Sequence, residues 1–191
     1  MSIKRAKILS DVQLKKLLKL ISEGENPERD KVIMLFSYKA GLRSCEMAGL
    51  TWEDLTDPEG KVLQKYVIIR GAITKNGKDR KLPIHPELYE ALKILRQARP
   101  NDEKPVYALN GGYMTANNLT VYIWRMYRRS GFEGASSHSG RRTFITSLSR
   151  KHNTFGCSLK DVQLLAGHSR LSTTEAYIEP SARARSLVSS I

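Results

Sequence analysis

Four groups of polar residues have the types and spacing to hold and act on an anion. Arg43 stands three residues before Glu46 and His138 three before Arg141. Lys75 precedes Asn76 and Gly77, and His168 follows Gly167 in a stretch that runs on to Tyr177. This last stretch, residues 164–177, is the most informative. Glycine is the usual residue at the left-handed position that ends a helix, so Gly167 leaves His168 in a turn. Ser172, Thr173, Thr174 and Glu175 read as a capping box, in which the serine hydroxyl and the glutamate carboxylate satisfy orphan amides of a new helix. Tyr177 then falls in the second turn of that helix, close to an N-terminus whose amides favour anions, phosphate included.

Taken singly, each group has an ordinary structural explanation. Arg-x-x-Glu is a common helical ion pair, and His-x-x-Arg is a common pair of helical neighbours. A tyrosine on a helix is mostly packing, and a histidine after a glycine is mostly a cap or a surface residue. Lys75 is one of many lysines, set apart only because a β-turn tip can reach into a groove. Together they are harder to dismiss. Fixing Gly167, His168, Thr173, Thr174 and Tyr177 at about 5% usage each puts a chance match in this length below about one in ten thousand.

The groups occur in a particular order: Gly41, Leu42 and Arg43 with Glu46, then a hairpin Lys75, then His138 with Arg141, then Gly167 and His168 through Tyr177. In this the chain resembles the tyrosine recombinases, the phage integrase family, over roughly residues 8–180. The resemblance implies the integrase catalytic-domain fold and metal-free DNA strand cleavage and rejoining through a covalent 3′-phosphotyrosine. The implied roles suit the residue types. Arg43 and Arg141 clamp the non-bridging phosphate oxygens with bidentate guanidinium forks, and His168 adds a donor. This cationic clamp stands in for the magnesium of other phosphoryl-transfer sites. Tyr177 is the nucleophile, and His138 accepts its proton. Lys75 is the family's general acid for the departing 5′ oxygen. Lys78 is a rival, and Lys75 is preferred because it precedes the Asn-Gly turn. Glu46 orients Arg43 or a neighbouring basic group.

The sequence departs from the family pattern in two places. Gly140 and Arg142 flank Arg141 where many members have leucine and histidine. Members usually carry a separate N-terminal helical DNA-binding domain, whereas here residues 2–8 alone separate Met1 from the catalytic part. The expectation is therefore one catalytic domain over residues 1–191 without that N-terminal domain, either a compact stand-alone recombinase or a fragment of a longer one.

The charge agrees with a nucleic-acid partner. Thirty-two lysines and arginines against nineteen aspartates and glutamates leave a net +13, the electrostatic footprint of a DNA binder. There is no run of 18 apolar residues, signal peptide or lipidation motif. The expected location is cytoplasmic and nucleoid-associated. Cys45 and Cys157 stand in unrelated contexts and cannot form a zinc site unaided, so both are expected reduced and partly buried, and no metal or cofactor is expected.

The elements that must position these groups are mostly helical. Ser10 and Gln13 form a capping box before Leu14, Leu17, Leu18 and Ile21. Pro27 starts a second helix that Gly41 ends, and Ser44 can cap a third carrying Glu46, Met47 and Leu50. Residues 51–60 read as a polar turn. Residues 64–84 read as a small antiparallel sheet whose second turn is formed by Lys75, Asn76, Gly77 and Lys78. Pro86 starts a helix with Leu88, Leu92, Ile94 and Leu95 apolar, and residues 98–114 are irregular. Leu119, Tyr122, Ile123, Met126 and Tyr127 mark another helix. Two more follow, one opened by Ser137 and His138, the other capped by Ser158 and Asp161 and ended by Gly167. Beyond Pro180, residues 182–191 could form a short helix with Leu187, Val188 and Ile191 apolar. The fold class is mainly α with a small antiparallel sheet.

Three functions compete. A site-specific recombinase would assemble as a homotetramer on paired sites of double-stranded DNA, exchanging the tail 180–191 between protomers, and would be a monomer or weak oligomer without DNA. A non-cleaving DNA-binding regulator of the same fold would be expected to have lost a catalytic residue, and none is missing. A type IB topoisomerase-like enzyme shares the chemistry but acts as a monomer. The His138–Arg141 and Gly167–His168 signatures favour the recombinase.

Overall fold

The computed structural model describes residues 6–108 and 111–178. Among these residues are nine α-helices and a two-stranded sheet, in the order α1 Asp11–Ser22, α2 Pro27–Lys39, α3 Ser44–Gly49, α4 Trp52–Leu55, β1 Tyr66–Ile69, β2 Arg80–Pro83, α5 Pro86–Ala98, α6 Ala116–Arg129, α7 Ser139–Lys151, α8 Leu159–Ala166 and α9 Leu171–Glu175. The chain divides into two compact units, residues 1–144 and 145–191, with the division inside α7. The expected class, mainly α with a small antiparallel sheet, is what forms. The tail helix expected over residues 182–191, and Pro180, lie outside the described residues.

The first unit is built around α2. Every residue from Val32 to Tyr38 is buried, so the middle of this helix has no solvent face, while Lys31 before it is exposed. Pro27 occupies its first turn, where the missing amide costs nothing. The flanking helices are amphipathic. α1 turns Leu14, Leu17 and Ile21 inward, behind the expected capping box of Ser10 and Gln13. α5 buries Leu88, Ala91, Leu92 and Leu95, whereas Ile94, expected on that face, is exposed. α6 buries Leu119, Ile123 and Tyr127.

Polar anchors fix how α6 meets α2. The hydroxyls of Tyr127 and Tyr38 lie 3.0 Å apart, and burial pushes the Tyr127 phenol up to about 12. The fully buried Arg29 donates from Nε and Nη2 to Asp30 Oδ1 at 2.9 and 2.7 Å, from Nη2 to the Tyr122 hydroxyl at 2.6 Å, and from Nη1 to the Tyr107 carbonyl at 3.1 Å.

The sheet differs from expectation. β1 and β2 pair antiparallel with Tyr66 opposite Pro83 and Ile69 opposite Arg80, so the two strands enclose a connection of residues 70–79. The Asn-Gly pair bends this connection and does not join the strands directly. Within it, residues Gly71–Ile73 form a 3₁₀ turn. The polar stretch after residue 50 also holds an unforeseen one-turn helix, α4, started by the Thr51 amide donating to Asp54 Oδ2 at 3.0 Å.

In the second unit, α8 has the expected capping box of Ser158 and Asp161 and ends on Gly167 in the left-handed conformation. Both cysteines, expected partly buried, are exposed. Cys45 stands beside the buried Glu46 and itself faces solvent, and Cys157 lies in an exposed run from Asn153 to Ser158.

Two glycines set close approaches in the first unit. Gly41, at φ +61°, ends the α2 connection, and a Cβ there would run into the Phe144 ring. Gly140, in the first turn of α7, lies against Ser37, and a Cβ would overlap the serine hydroxyl and come within 2.8 Å of its Cβ. On a free helix surface, glycine to alanine stabilises by about 1 kcal/mol. Here overpacking should reverse the sign, so Gly140→Ala should lose about 1–3 kcal/mol. A thermal melt checks this, with about 2–4 °C expected per kcal/mol.

Candidate active site

The first unit carries Arg43, Glu46, Lys75, His138 and Arg141. Arg43 follows Gly41 by two residues and is the N-cap of α3, a place expected for Ser44, which instead begins the helix. Its backbone amide donates to Glu46 Oε2 at 2.8 Å and its Nη1 to Glu46 Oε1 at 3.0 Å. Glu46 is fully buried, yet it also takes a fork from a residue the sequence reading missed. Arg80 donates from Nη1 to Oε1 at 2.6 Å and from Nη2 to Oε2 at 2.9 Å. Burial alone would raise the Glu46 carboxyl. The hydrogen bonds and charge of Arg80, followed by those of Arg43, outweigh it and hold the group below the usual carboxylate range. The signal for Arg80 was present, because strand alternation puts it on the side of the buried Leu82 and opposite Lys81.

Arg141 is 5% exposed, and its Nη1 donates to the Gly41 carbonyl. The second guanidinium is thus fastened to the backbone turn that leads into the first. His138 was expected on the α7 face but sits just before the helix, within reach of Ser137 Oγ at 3.2 Å from Nδ1. The residue is exposed, but its ring is partly withdrawn from water. That desolvation, then the positive charges of Arg141 and Arg43, lowers its affinity for a proton below that of an ordinary histidine.

Lys75 lies at the apex of the 70–79 connection and is exposed. The connection is tied across its base. The Gly71 amide donates to Asp79 Oδ1 at 2.6 Å, and the Thr74 hydroxyl donates to the Lys78 carbonyl at 3.2 Å. Gly71 also packs so closely that a Cβ would sit 2.5 Å from the Gly77 carbonyl oxygen. Lys78, also exposed, stands at this tied base.

The second unit carries His168 and Tyr177. The expected capping box at Ser172 does not form. α9 begins at Leu171 with Arg170 as its N-cap and ends at Glu175, so Tyr177 follows the helix and is not within it. The Tyr177 amide donates to the Thr174 carbonyl at 3.0 Å, which closes one last turn. The Tyr177 ring stacks on His168, with centroids 5.7 Å apart and planes 26° apart.

Two residues outside the predicted set hold this arrangement. Thr174 is fully buried, and its hydroxyl lies 2.9 Å from His168 Nδ1. Gln163 Nε2 donates to the His168 carbonyl at 2.9 Å, and the His168 amide donates to the Gln163 carbonyl at 3.1 Å. A hydroxyl that donates to Nδ1 selects the imidazole tautomer with its proton on Nε2, the form able to donate to a phosphate oxygen. No group of three or more acidic, histidine or cysteine side chains is placed to hold a metal ion among the described residues. No helix among them is long and apolar enough to cross a membrane.

Comparison with solved structures identifies the fold as that of tyrosine recombinase catalytic domains. The transposon Tn1549 integrase in complex with circular intermediate DNA matches with a TM-score of 0.71 at 21% identity, over 100% of this chain and 66% of that one. The XerA recombinase crystal structure matches with a TM-score of 0.70 at 20% identity, over 96% and 64%. A XerH site-specific recombinase bound to its difH substrate gives 0.72 at 22%, over 97% and 54%. The chain belongs to the phage integrase family, whose model matches residues 7–183. It is 30% identical to the tyrosine recombinase XerA of Pyrococcus furiosus over 182 residues, 93% of this chain and 58% of that protein. It is 33% identical to XerC of Thermodesulfovibrio yellowstonii over 189 residues, 92% and 59%. The chain spans a little under three fifths of the length of these relatives.

The electrostatics of His138 make a measurable prediction. Its imidazole should titrate below an ordinary histidine in an NMR titration, and Arg141→Gln should move the midpoint upward by removing one cause of the shift. The sign for stability follows. Because the unfolded chain takes up this proton first, the folded state should lose stability as pH falls from the ordinary histidine value through the lowered one.

Proposed function

We propose that residues 1–191 act as one catalytic domain of a site-specific DNA recombinase. It cuts and rejoins double-stranded DNA through a 3′-phosphotyrosine. The observation that carries this reading is the fastening of Arg141 to the Gly41 carbonyl, two residues before Arg43. Two guanidinium forks held by one turn suit a single phosphodiester, whose transition state gathers charge on the non-bridging oxygens.

In this reading Tyr177 Oη attacks the phosphorus, a bond forms to the 3′-phosphate, and the bond to the 5′ oxygen breaks. The phenol proton passes to His138, whose lowered proton affinity keeps it neutral and ready to accept. Lys75 gives a proton to the departing 5′ oxygen, and its place at the loop apex favours it over Lys78. His168, oriented by Thr174, donates to a non-bridging oxygen. Rejoining is the reverse, with a new 5′-hydroxyl as nucleophile, so the phosphotyrosine conserves the bond energy and ATP is not required. The family relatives bound to DNA support duplex DNA as the partner. We further assign a homotetramer on paired sites, linked by exchange of the tail 180–191, a monomer or weak oligomer without DNA, and a cytoplasmic, nucleoid-associated location.

The test is covalent capture. The chain is incubated with a pool of nicked duplexes of randomised sequence, and adducts that survive denaturation are recovered. Wild type should yield an adduct, and Tyr177→Phe none while still retarding the same DNA. Absence of any wild-type adduct would leave a non-cleaving DNA-binding protein, and an adduct with Tyr177→Phe would remove this tyrosine from the chemistry. On the selected duplex, Arg43→Lys and Arg141→Lys should each slow adduct formation about 10²–10³-fold, because an ammonium cannot reproduce a bidentate fork. Unimpaired cleavage by either variant would show that its arginine does not hold the phosphate.

A further inference from the structure

We propose that Arg80 is a positioning residue that couples the Lys75 loop to Arg43 through the shared carboxylate of Glu46. The inference rests on the recombinase reading for its chemistry, but its geometry lies wholly within the first unit. Arg80 is the first residue of β2, directly after the connection that carries Lys75. Its fork takes both oxygens of Glu46 at 2.6 and 2.9 Å, and Glu46 is the residue that also receives the amide and Nη1 of Arg43. The end of the loop and the N-terminus of α3 therefore share one buried acceptor.

Arg80 is not merely neutralising a buried acid. Its side chain is 8% exposed, and its Nε has no hydrogen-bond acceptor among the described residues, so Glu46 supplies the anchorage that burial of this guanidinium requires. One carboxylate serves two guanidiniums. The deeper arginine is held on both oxygens, while Arg43, at 22% exposed, is the one nearer solvent. A second contact keeps the loop on α3. Gly49 leaves room for Ile73, whose Cγ2 would lie 2.5 Å from an added Cβ. The loop is thus pinned to α3 at Ile73 and Arg80, on either side of Lys75. Arg80 touches no reacting atom. It fixes where the base of the Lys75 loop stands relative to the arginine that binds the phosphate.

The test uses the full chain, the duplex selected by covalent capture, and the same duplex with sulfur replacing the bridging 5′ oxygen at the cut. A thiolate leaves without a proton, so the sulfur substrate bypasses Lys75. Arg80→Met and Arg80→Lys are first checked for a cooperative melt. Both should form adduct about 100-fold more slowly on the oxygen duplex, the effect of an ångström-scale misplacement. Much of the loss should be recovered on the sulfur duplex, and amide exchange should quicken across residues 70–79. Lysine should not rescue, because it cannot bridge two oxygens.

Equal losses on the two duplexes would show that Arg80 does not act through Lys75. Unchanged exchange in the loop would likewise overturn the coupling. Failure of the wild-type chain to form any adduct would refute the recombinase reading instead, and the exchange measurement would still decide whether Arg80 holds the loop.

Discussion

The first unit depends on one buried carboxylate. Glu46 sits with no solvent exposure between Arg43 and Arg80. A charge so placed is costly unless its oxygens are filled. They are filled from two directions that are distant in sequence, α3 and β2, so the ion pair joins two elements as well as two charges. Removing one member of such a buried set typically costs about 3–5 kcal/mol, because the remaining charge is left without compensation. That asymmetry makes the cluster specific. The fold tolerates it only when the helix start, the strand start and the loop between them are all in place.

The two units solve the positioning problem differently. In the second, the contacts described for His168 and Tyr177 come from nearby in the chain. Gln163 lies five residues before His168, Thr174 six after it, and Tyr177 closes a turn on Thr174. This is a local fold that a short sequence can encode. In the first unit two of the contacts are long-range. Arg141 reaches a carbonyl 100 residues earlier, and Arg80 reaches an acid 34 residues earlier. The α7 start is held where Gly140 lies against Ser37 and Tyr38 of the buried stretch of α2.

This contrast explains what could be read from the sequence. The caps at Ser10 and Ser158 and the stops at Gly41 and Gly167 rest on local rules and form as expected, as do the helical apolar stripes apart from Ile94. The predicted site residues fall in two groups, each held by its own unit. The misses have physical causes. The Ser172 box does not form because α9 begins at Leu171, which places Ser172 inside the helix and not at its N-cap. The Asn-Gly pair signals a tight bend but not which strands it joins, so the long 70–79 connection was not legible. Arg80 looked like one basic residue among thirty-two. The alternation with Leu82 carries the signal, but it can be used only once β2 itself is placed by its pairing with β1.

The approach of α7 to α2 fixes how far Arg141 can move. Gly140 lies on Ser37 with no side chain between, Gly41 leaves its Cβ position to Phe144, and Arg141 bonds to the Gly41 carbonyl. The reach of one guanidinium is therefore set by backbone against side chain, in a region as incompressible as a molecular crystal. A spacing built from such contacts behaves as a fixed gauge and not as a spring. A side chain at either glycine would displace α7 from α2 and carry the Arg141 anchor with it.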